Sequence, residues 1–405
     1  MINPRILAIV MAGGEGKRLY PLTAERSKPA VPFGGRYRIV DFVLSNLVNS
    51  GIHSIYLLVQ YKSQSLIEHV RRAWVMSPLL SGHFVTVVPP QMREGPHWFQ
   101  GTADAVAQNL NLIDEHRPDL VAVFGADHIY RMNIKQMAQF HLEREADVTV
   151  AALPVPVNEA TAFGVIDAEA DGRIREFREK PAEPPSIPGD PEHAYASMGN
   201  YIFSTDVLCR ALEESSNYKG YDFGGDVLPR LKDTHRVYAY NYGTNRIRGL
   251  KPYEDPAYWR DVGTVEAFYE AHFDFLGEEP KVDAFNKEWP LYSSHYPGPS
   301  AKLVSGEVNN SILGSGSIIK GAKVHNSILR REVTIEEGAE VDGCIIMDYV
   351  TIRRGAKLRR AIVDRFNVIE AGDTVGYDVE ADRRRWPVSA TGIVVVPKGR
   401  HMPRY

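Results

Sequence analysis

A chain of 405 residues is too long for one typical domain, so two are expected. A hydrophobic fraction of 44% suits a globular protein, and a net charge of −4 argues against a general binder of nucleic acid or anionic membrane. Two distant cysteines, Cys209 and Cys344, give neither a disulfide framework nor a cysteine-rich zinc site, and read as buried small hydrophobes in a reducing cytoplasm.

The first apolar run, Ile6 to Met11, has the length of one buried strand of a parallel sheet. It is too short for a membrane span and ends in glycines, so it is no anchor. The chain then turns through Gly13, Gly14 and Gly16. Glycine allows positive φ and close backbone approach, so several N–H groups can face one phosphate. Arg18 and Lys28 follow as two cations within reach. A strand, a glycine loop and two cations read as a nucleoside triphosphate site. A P-loop is excluded, because Met11 stands where its first glycine belongs and Arg18 where its Ser/Thr belongs. The dinucleotide fingerprint fails too, since Leu19 replaces its third glycine.

Further along, Asp41 to Asn49 reads as a helix, Ile55 to Val59 as a strand and Gln64 to Trp74 as a helix. Phe84 to Val88 is β-branched and strand-like. Thr102 to Glu115 reads as one helix, with Asp104 in its first turn. Leu120 to Phe124 is a buried strand and Asn133 to Glu143 a helix. This alternation predicts a doubly wound, Rossmann-like, mostly parallel sheet. Ligands of such sheets sit beyond the carboxyl ends of the strands, where the glycine loop, Gln60 and the GADH turn can converge. From Val148 to Tyr242 strands dominate: Val148–Leu153, Gly164–Asp167, Ile174–Arg178, Tyr201–Phe203 and Val237–Tyr240. A helix within Tyr258 to Phe275, after WRDVG, closes a first domain at residues 1–276. Residues 277–301, rich in Pro, Gly and Ser, read as a linker.

Residues 302–405 repeat internally. Ile318 to Val324 (IIKGAKV) recurs as Ile335 to Val341, Ile352 to Leu358 and Ile369 to Val375, each start 17 residues after the last. Between them fall Ile312, Ile328, Ile345 and Ile362. Six-residue rungs with an inward aliphatic and a glycine at the turn describe a parallel β-helix of about three rungs per coil.

Three stretches in one order, AGGEGKRLYPLTAERSKPAV from Ala12, WFQGTADAV from Trp98 and ASMGNYIFSTD from Ala196, resemble the sugar-nucleotide pyrophosphorylases. The wording is most similar to the ADP-glucose pyrophosphorylases, and the likeness spans essentially the whole chain. It implies an α/β nucleotidyltransferase domain followed by a left-handed β-helix with regulatory and oligomerising roles. It also implies adenylyl transfer from ATP to glucose 1-phosphate in glycogen synthesis, a cytoplasmic homotetramer, and control by anionic metabolites.

Asp127 follows an apolar strand in FGADHIYRMN and Asp261 lies in YWRDVGT; two such carboxylates can hold a divalent cation, and Mg²⁺ suits oxygen ligands and phosphates. The resemblance makes these two aspartates the metal ligands. It places Arg18 and Lys28 on the phosphates, and Gln60, Trp98, Gly101 and Thr102 around the nucleotide. It assigns Lys180 of FREKP to the sugar phosphate and Glu179 to sugar hydroxyls, with Gly164, Ser197 and Phe99 on the same side. Phe99 stands where relatives usually carry Tyr, which keeps stacking and loses one hydrogen bond. Arg26, Arg38, Arg384 and Arg385 match basic positions at the regulatory interface. Glu25 replaces the lysine that holds fructose bisphosphate in enteric relatives, and a carboxylate repels that ligand.

Three other activities fit parts of the chain. Another base or sugar 1-phosphate (a uridylyl-, thymidylyl- or guanylyltransferase) needs only a few changed contacts. An acyltransferase needs a catalytic histidine in the β-helix, where His325 is the single candidate. A non-catalytic regulatory subunit would have lost Arg18, Lys28, Asp127, Asp261 or Lys180, and all five are present.

Overall fold

Ile6–Ala12 lies at the middle of a nine-stranded sheet, flanked in parallel by Ser54–Val59 and Leu120–Gly125. The computed structural model describes residues 4–400 except 78, 94 and 96. Leu7 to Val10 are fully buried on both faces, which is why this strand reads as one apolar run. Phe84–Val88 extends the parallel part beyond Ser54–Val59. On the other side His193–Ser204 runs antiparallel to Leu120–Gly125. Its register breaks between Ser197 and Tyr201, so its first half pairs with Gly164–Ala168 as well as Val148–Pro156. Ile174–Glu179 and Val237–Asn241 complete the sheet.

Several elements differ from the sequence reading. The Thr102–Glu115 segment is two helices, Thr102–Ala107 and Leu110–His116. At the break the Asn109 side chain donates to the Ala105 carbonyl at 2.8 Å, the competition with backbone that makes asparagine poor inside helices. The helix Thr205–Tyr218 lies where strands dominate the reading. Its buried Val207, Leu208, Ala211 and Leu212 recur at helical spacing, a signal masked by the strands around it. The helix after WRDVG spans only Val265–Phe273, capped by Thr264 accepting from the Ala267 N–H. Trp259–Asp261 is instead a short strand, antiparallel to His128–Tyr130.

Residues 277–301 carry no regular element but pack closely. Val282, Trp289 and Leu291 are buried, and the Trp289 indole donates to Asn46 Oδ1 at 3.3 Å. Among the described residues no helix is long and apolar enough to cross a membrane.

The C-terminal repeats wind into a parallel β-helix with three faces. Ile312, Ile328, Ile345, Ile362 and Val395 stack on one face, and Val324, Val341, Leu358 and Val375 on another. The third face is Ile319, Ile335, Ile352 and Ile369. Here the 17-residue period slips once: Ile335 pairs with Ile319, not with Ile318. The turn at Gly321, with φ +64°, is one residue tighter than its successors, and Ile318 is displaced toward the surface. The β-helix sits against the first domain through one shared core, which joins Phe33, Phe42, Phe268 and Phe275 to Ile345, Met347, Ile362 and Val395.

Candidate active site

A cavity of about 430 Å³ opens beyond the carboxyl ends of Ile6–Ala12, Ser54–Val59 and Leu120–Gly125. Gly13 and Gly14 line it. A Cβ on Gly13 would stand 3.3 Å from Gln60 Cβ, while Gly14 faces open space. Gly16 does not line it: with φ +67° it passes beneath Lys28, whose Cβ would lie 3.0 Å from an added methyl. Its role is to let the loop close under Lys28, not to face the ligand.

Lys28 enters the cavity from a 3₁₀ turn, Lys28–Ala30, with its side chain almost wholly buried. Its Nζ donates to Asp127 Oδ2 at 3.0 Å and to Asp261 Oδ1 at 2.8 Å. The two aspartates meet because Trp259–Asp261 pairs with His128–Tyr130, which sets Asp261 opposite His128. Arg18, exposed, lies with Nη2 3.8 Å from Asp261 Oδ2. Burial pushes the Asp127 carboxyl up, but His128 and the Lys28 ammonium outweigh it and hold the group at about 2. Among the described residues Asp127, His128 and Asp261 present donor atoms within 4.8 Å of one another. That donor set fits a divalent cation, and the buried Nδ1 of His128 has no hydrogen-bond partner.

On the nucleotide side, Gln60 spends its amide on one residue. Its Oε1 accepts from the Phe99 N–H at 2.7 Å and its Nε2 donates to the Phe99 carbonyl at 3.1 Å. Gln60 therefore holds the 99–102 loop in place, and the loop lines the cavity. A Cβ on Gly101 would come within 2.2 Å of the Tyr221 carbonyl, so only glycine permits that approach. Thr102 Oγ1 donates to Asp222 Oδ2 at 2.9 Å and accepts from the Phe223 N–H. Trp98 is 52% exposed and is not among the lining residues.

The sugar-side residues gather at the end of the adjoining strands. Glu179 pairs in register with Gly164, and a Cβ there would meet Glu179 Oε2 at 3.1 Å. Lys180 lies 3.2 Å from Glu179 Oε1 and donates its backbone N–H to the Phe163 carbonyl. The Trp259 ring packs on His128 at 4.8 Å and on Phe163 at 6.0 Å, joining this strand end to the carboxylates. Ser197 stands at the register break of its own strand. None of Gly164, Glu179, Lys180 and Ser197 lines the 430 Å³ cavity. Sequence reading passed over His128, Asp222, Tyr201 and Trp259; His128 and Trp259 each adjoin a chosen residue in GADH and WRD.

The four arginines expected at a regulatory interface divide. Arg26 is buried, donates to the Leu22 carbonyl and pairs with Asp364 of the β-helix. Arg38 donates to the Ser65 carbonyl, and burial together with Arg365 and Arg330 pushes it down to about 9. Arg385 instead pairs with Asp373 at 2.6 Å and stacks on Trp386, and Arg384 is exposed. The two pairs share no partner. Arg330 and Arg365, at the corner of the β-helix, stand beside Arg38, where Arg384 and Arg385 were expected. Glu25 pairs with Lys398.

The nucleotidyl transferase profile matches residues 7–278, and a GlmU-like C-terminal hexapeptide profile matches residues 299–396. The chain is 55% identical to a glucose-1-phosphate adenylyltransferase of Thermodesulfovibrio yellowstonii over 98% of this chain and 96% of that one. It is 50% identical to those of Corynebacterium jeikeium (97% and 98% covered) and Thermus thermophilus (98% and 99%). A Rossmann-like sheet domain with a left-handed hexapeptide β-helix, matched at this identity from end to end, places the chain in the glucose-1-phosphate adenylyltransferase family of nucleotidyl transferases.

Proposed function

We propose that the protein transfers the adenylyl group of ATP to α-D-glucose 1-phosphate, forming ADP-glucose and pyrophosphate for α-glucan synthesis. The observation that carries this reading is Lys28 Nζ held between Asp127 and Asp261 at the mouth of the Gly13–Gly14 cavity. No protein nucleophile is needed. A phosphate oxygen of the sugar 1-phosphate attacks the α-phosphorus, a new P–O bond forms, and the α–β bridging bond breaks as pyrophosphate leaves. The protein positions the reactants and neutralises developing charge. Asp127 and Asp261 would hold Mg²⁺, which when bound supplies further neutralisation of the phosphates. Lys28 and Arg18 face the same phosphates. The glycine loop and the Phe99–Thr102 loop, braced by Gln60, take the nucleotide. Lys180 and Glu179, beside Phe163 and Trp259, take the sugar phosphate.

A second cavity, of about 1080 Å³, lies between the two domains and is lined by Arg36, Arg38, Arg72, Arg330 and Arg331 against Glu68, Glu332 and Asp348. That excess of arginine suits an anionic effector, since guanidinium forks match phosphate and carboxylate. The same reading takes the protein as a cytoplasmic homotetramer.

Pyrophosphate release with glucose 1-phosphate, Mg²⁺ and each nucleoside triphosphate in turn tests the assignment. ATP should give by far the fastest turnover, and Asp127→Asn should nearly abolish it with the fold intact. A preference for UTP, dTTP or GTP would move the assignment to another pyrophosphorylase.

A further inference from the structure

We infer that His128 is a nitrogen donor to the cation held by Asp127 and Asp261, which gives the site a mixed nitrogen–oxygen character and tilts it toward Mn²⁺ and Co²⁺. The inference rests on the metal-binding reading of the two aspartates.

Two observations on the imidazole point the same way. One ring nitrogen, Nε2, lies 3.4 Å from Asp127 Oδ1. The ring lines the substrate cavity and is grouped with both carboxylates within 4.8 Å.

The orientation is fixed rather than incidental. His128 stands opposite Asp261 in the two-stranded pairing, so backbone register aims both toward one point. The indole of Trp259 packs against the ring at 4.8 Å and limits its rotation. The side chain is only 15% exposed, so water does not compete freely for its nitrogens. Meanwhile the Lys28 ammonium already sits 3.0 and 2.8 Å from the two carboxylates, which marks the place where positive charge is favoured.

Imidazole changes which cation such a site prefers. Mg²⁺ favours oxygen ligands and keeps its waters, whereas first-row transition ions gain from a nitrogen donor. A site of two carboxylates alone would discriminate weakly between Mg²⁺ and Mn²⁺. Adding His128 raises the affinity for Mn²⁺ and Co²⁺ more than that for Mg²⁺.

The test uses the full chain with Mn²⁺ alone as the probe. Bound Mn²⁺ is titrated by electron paramagnetic resonance, and spin-echo modulation reads whether a nitrogen is directly coordinated. Wild type should show nitrogen modulation. His128→Ala and His128→Asn should lose it, bind Mn²⁺ about tenfold or more weakly, and show a much smaller loss for Mg²⁺ measured by competition. Thermal unfolding of each variant checks that the fold survives. Wild-type Mn²⁺ affinity and retained modulation in either folded variant would overturn the nitrogen-donor role and leave the aspartate site standing. Absence of Mn²⁺ binding in wild type, or unchanged binding in Asp127→Asn, would sink the metal reading itself and this inference with it.

Discussion

Arg26 and Asp364 form an ion pair across the domain boundary in which neither side chain is more than 3% exposed. Arg26 lies two residues before Lys28, so the β-helix grips the chain almost at the lysine that bridges Asp127 and Asp261. A buried pair of this kind is poor evidence of net stability, yet removing one partner strands the other charge. Asp364→Ala should therefore destabilise the protein by about 3–5 kcal/mol. Adding Arg26→Met to that variant should restore much of the loss. Denaturant unfolding of the two single variants and the double variant checks both. Strictly additive losses would mean that the two side chains act independently.

Two buried histidines make folding sensitive to mild acid. His272, packed on Phe33 with centroids 4.0 Å apart, is held down at about 3 by burial, despite donating to the Phe268 carbonyl. Burial likewise holds His141 at about 4. Both stay neutral in the folded chain, while the unfolded chain takes up protons below about 6.5. Their contribution is thus complete above that pH and is lost as the pH falls. Each removes about 1.4 kcal/mol per pH unit below 6.5. Urea midpoints between pH 7.5 and 5 should fall accordingly, and His272→Asn should flatten the slope by about one proton. A variant with the wild-type slope would show that His272 does not titrate on unfolding.

Periodicity carried most of the fold. The Ile6 run, the parallel strands after it and the inward isoleucines of the β-helix each record a single physical demand, burial, at a fixed spacing. Exceptions arose where a local interaction overrode the pattern. Asn109 breaks a helix by bonding its own backbone, and the tight turn at Gly321 slips the coil period by one. The site was legible in its motif residues but not in its pairings. Nothing in the spacing of Asp127 and Asp261 foretold that Lys28 would bridge them, because that depends on a two-stranded pairing between distant segments. The arginines expected at a regulatory interface were the least legible. Arg384 and Arg385 stand in a basic run, while Arg330, followed by Arg331, and Arg365 fall at turns just after β-rungs, and only the folded corner shows which of them face Arg38.

On the proposed assignment Lys180 serves one substrate and not the other. Its side chain projects beside Glu179 at the strand end joined through Phe163 and Trp259 to the carboxylates, away from the Gly13–Gly14 cavity. Lys180→Ala should raise the KM for glucose 1-phosphate by tens of fold, about 2 kcal/mol of lost charged hydrogen bonding. The KM for ATP should change little. Initial-rate kinetics with each substrate varied in turn decide it, and an equal rise in both would make Lys180 a shared or structural residue.

The interdomain cavity and the C-terminal arginine run make opposite forecasts for regulation. Arg36 and Arg72 are exposed side chains on the wall of the 1080 Å³ cavity, beside Arg38, Arg330 and Arg331. An anion bound there meets the Tyr37–Arg38 strand, which leads directly into the helix Ile39–Asn49. Asn46 of that helix donates to the Tyr130 carbonyl at 3.1 Å and accepts from the Met132 N–H at 3.0 Å. Tyr130 closes the strand that positions Asp127 and His128, so a shift of the helix reaches the carboxylates through two hydrogen bonds. Coupling of this kind amounts to about 1–3 kcal/mol, or several-fold to about a hundredfold in apparent affinity. Arg36→Ala/Arg72→Ala should therefore blunt the response to sugar phosphates, pyruvate and adenylates, whichever act. Arg384→Ala/Arg385→Ala should respond like wild type, because Arg385 is engaged with Asp373 and Trp386. Fructose bisphosphate should be a weak effector, since Glu25 and Lys398 neutralise each other and leave neither charge free for a second phosphate. Measuring rate against effector concentration for the two double variants distinguishes the sites. Loss of response in the Arg384/Arg385 variant alone would place regulation at the C-terminal run and empty the cavity of that role.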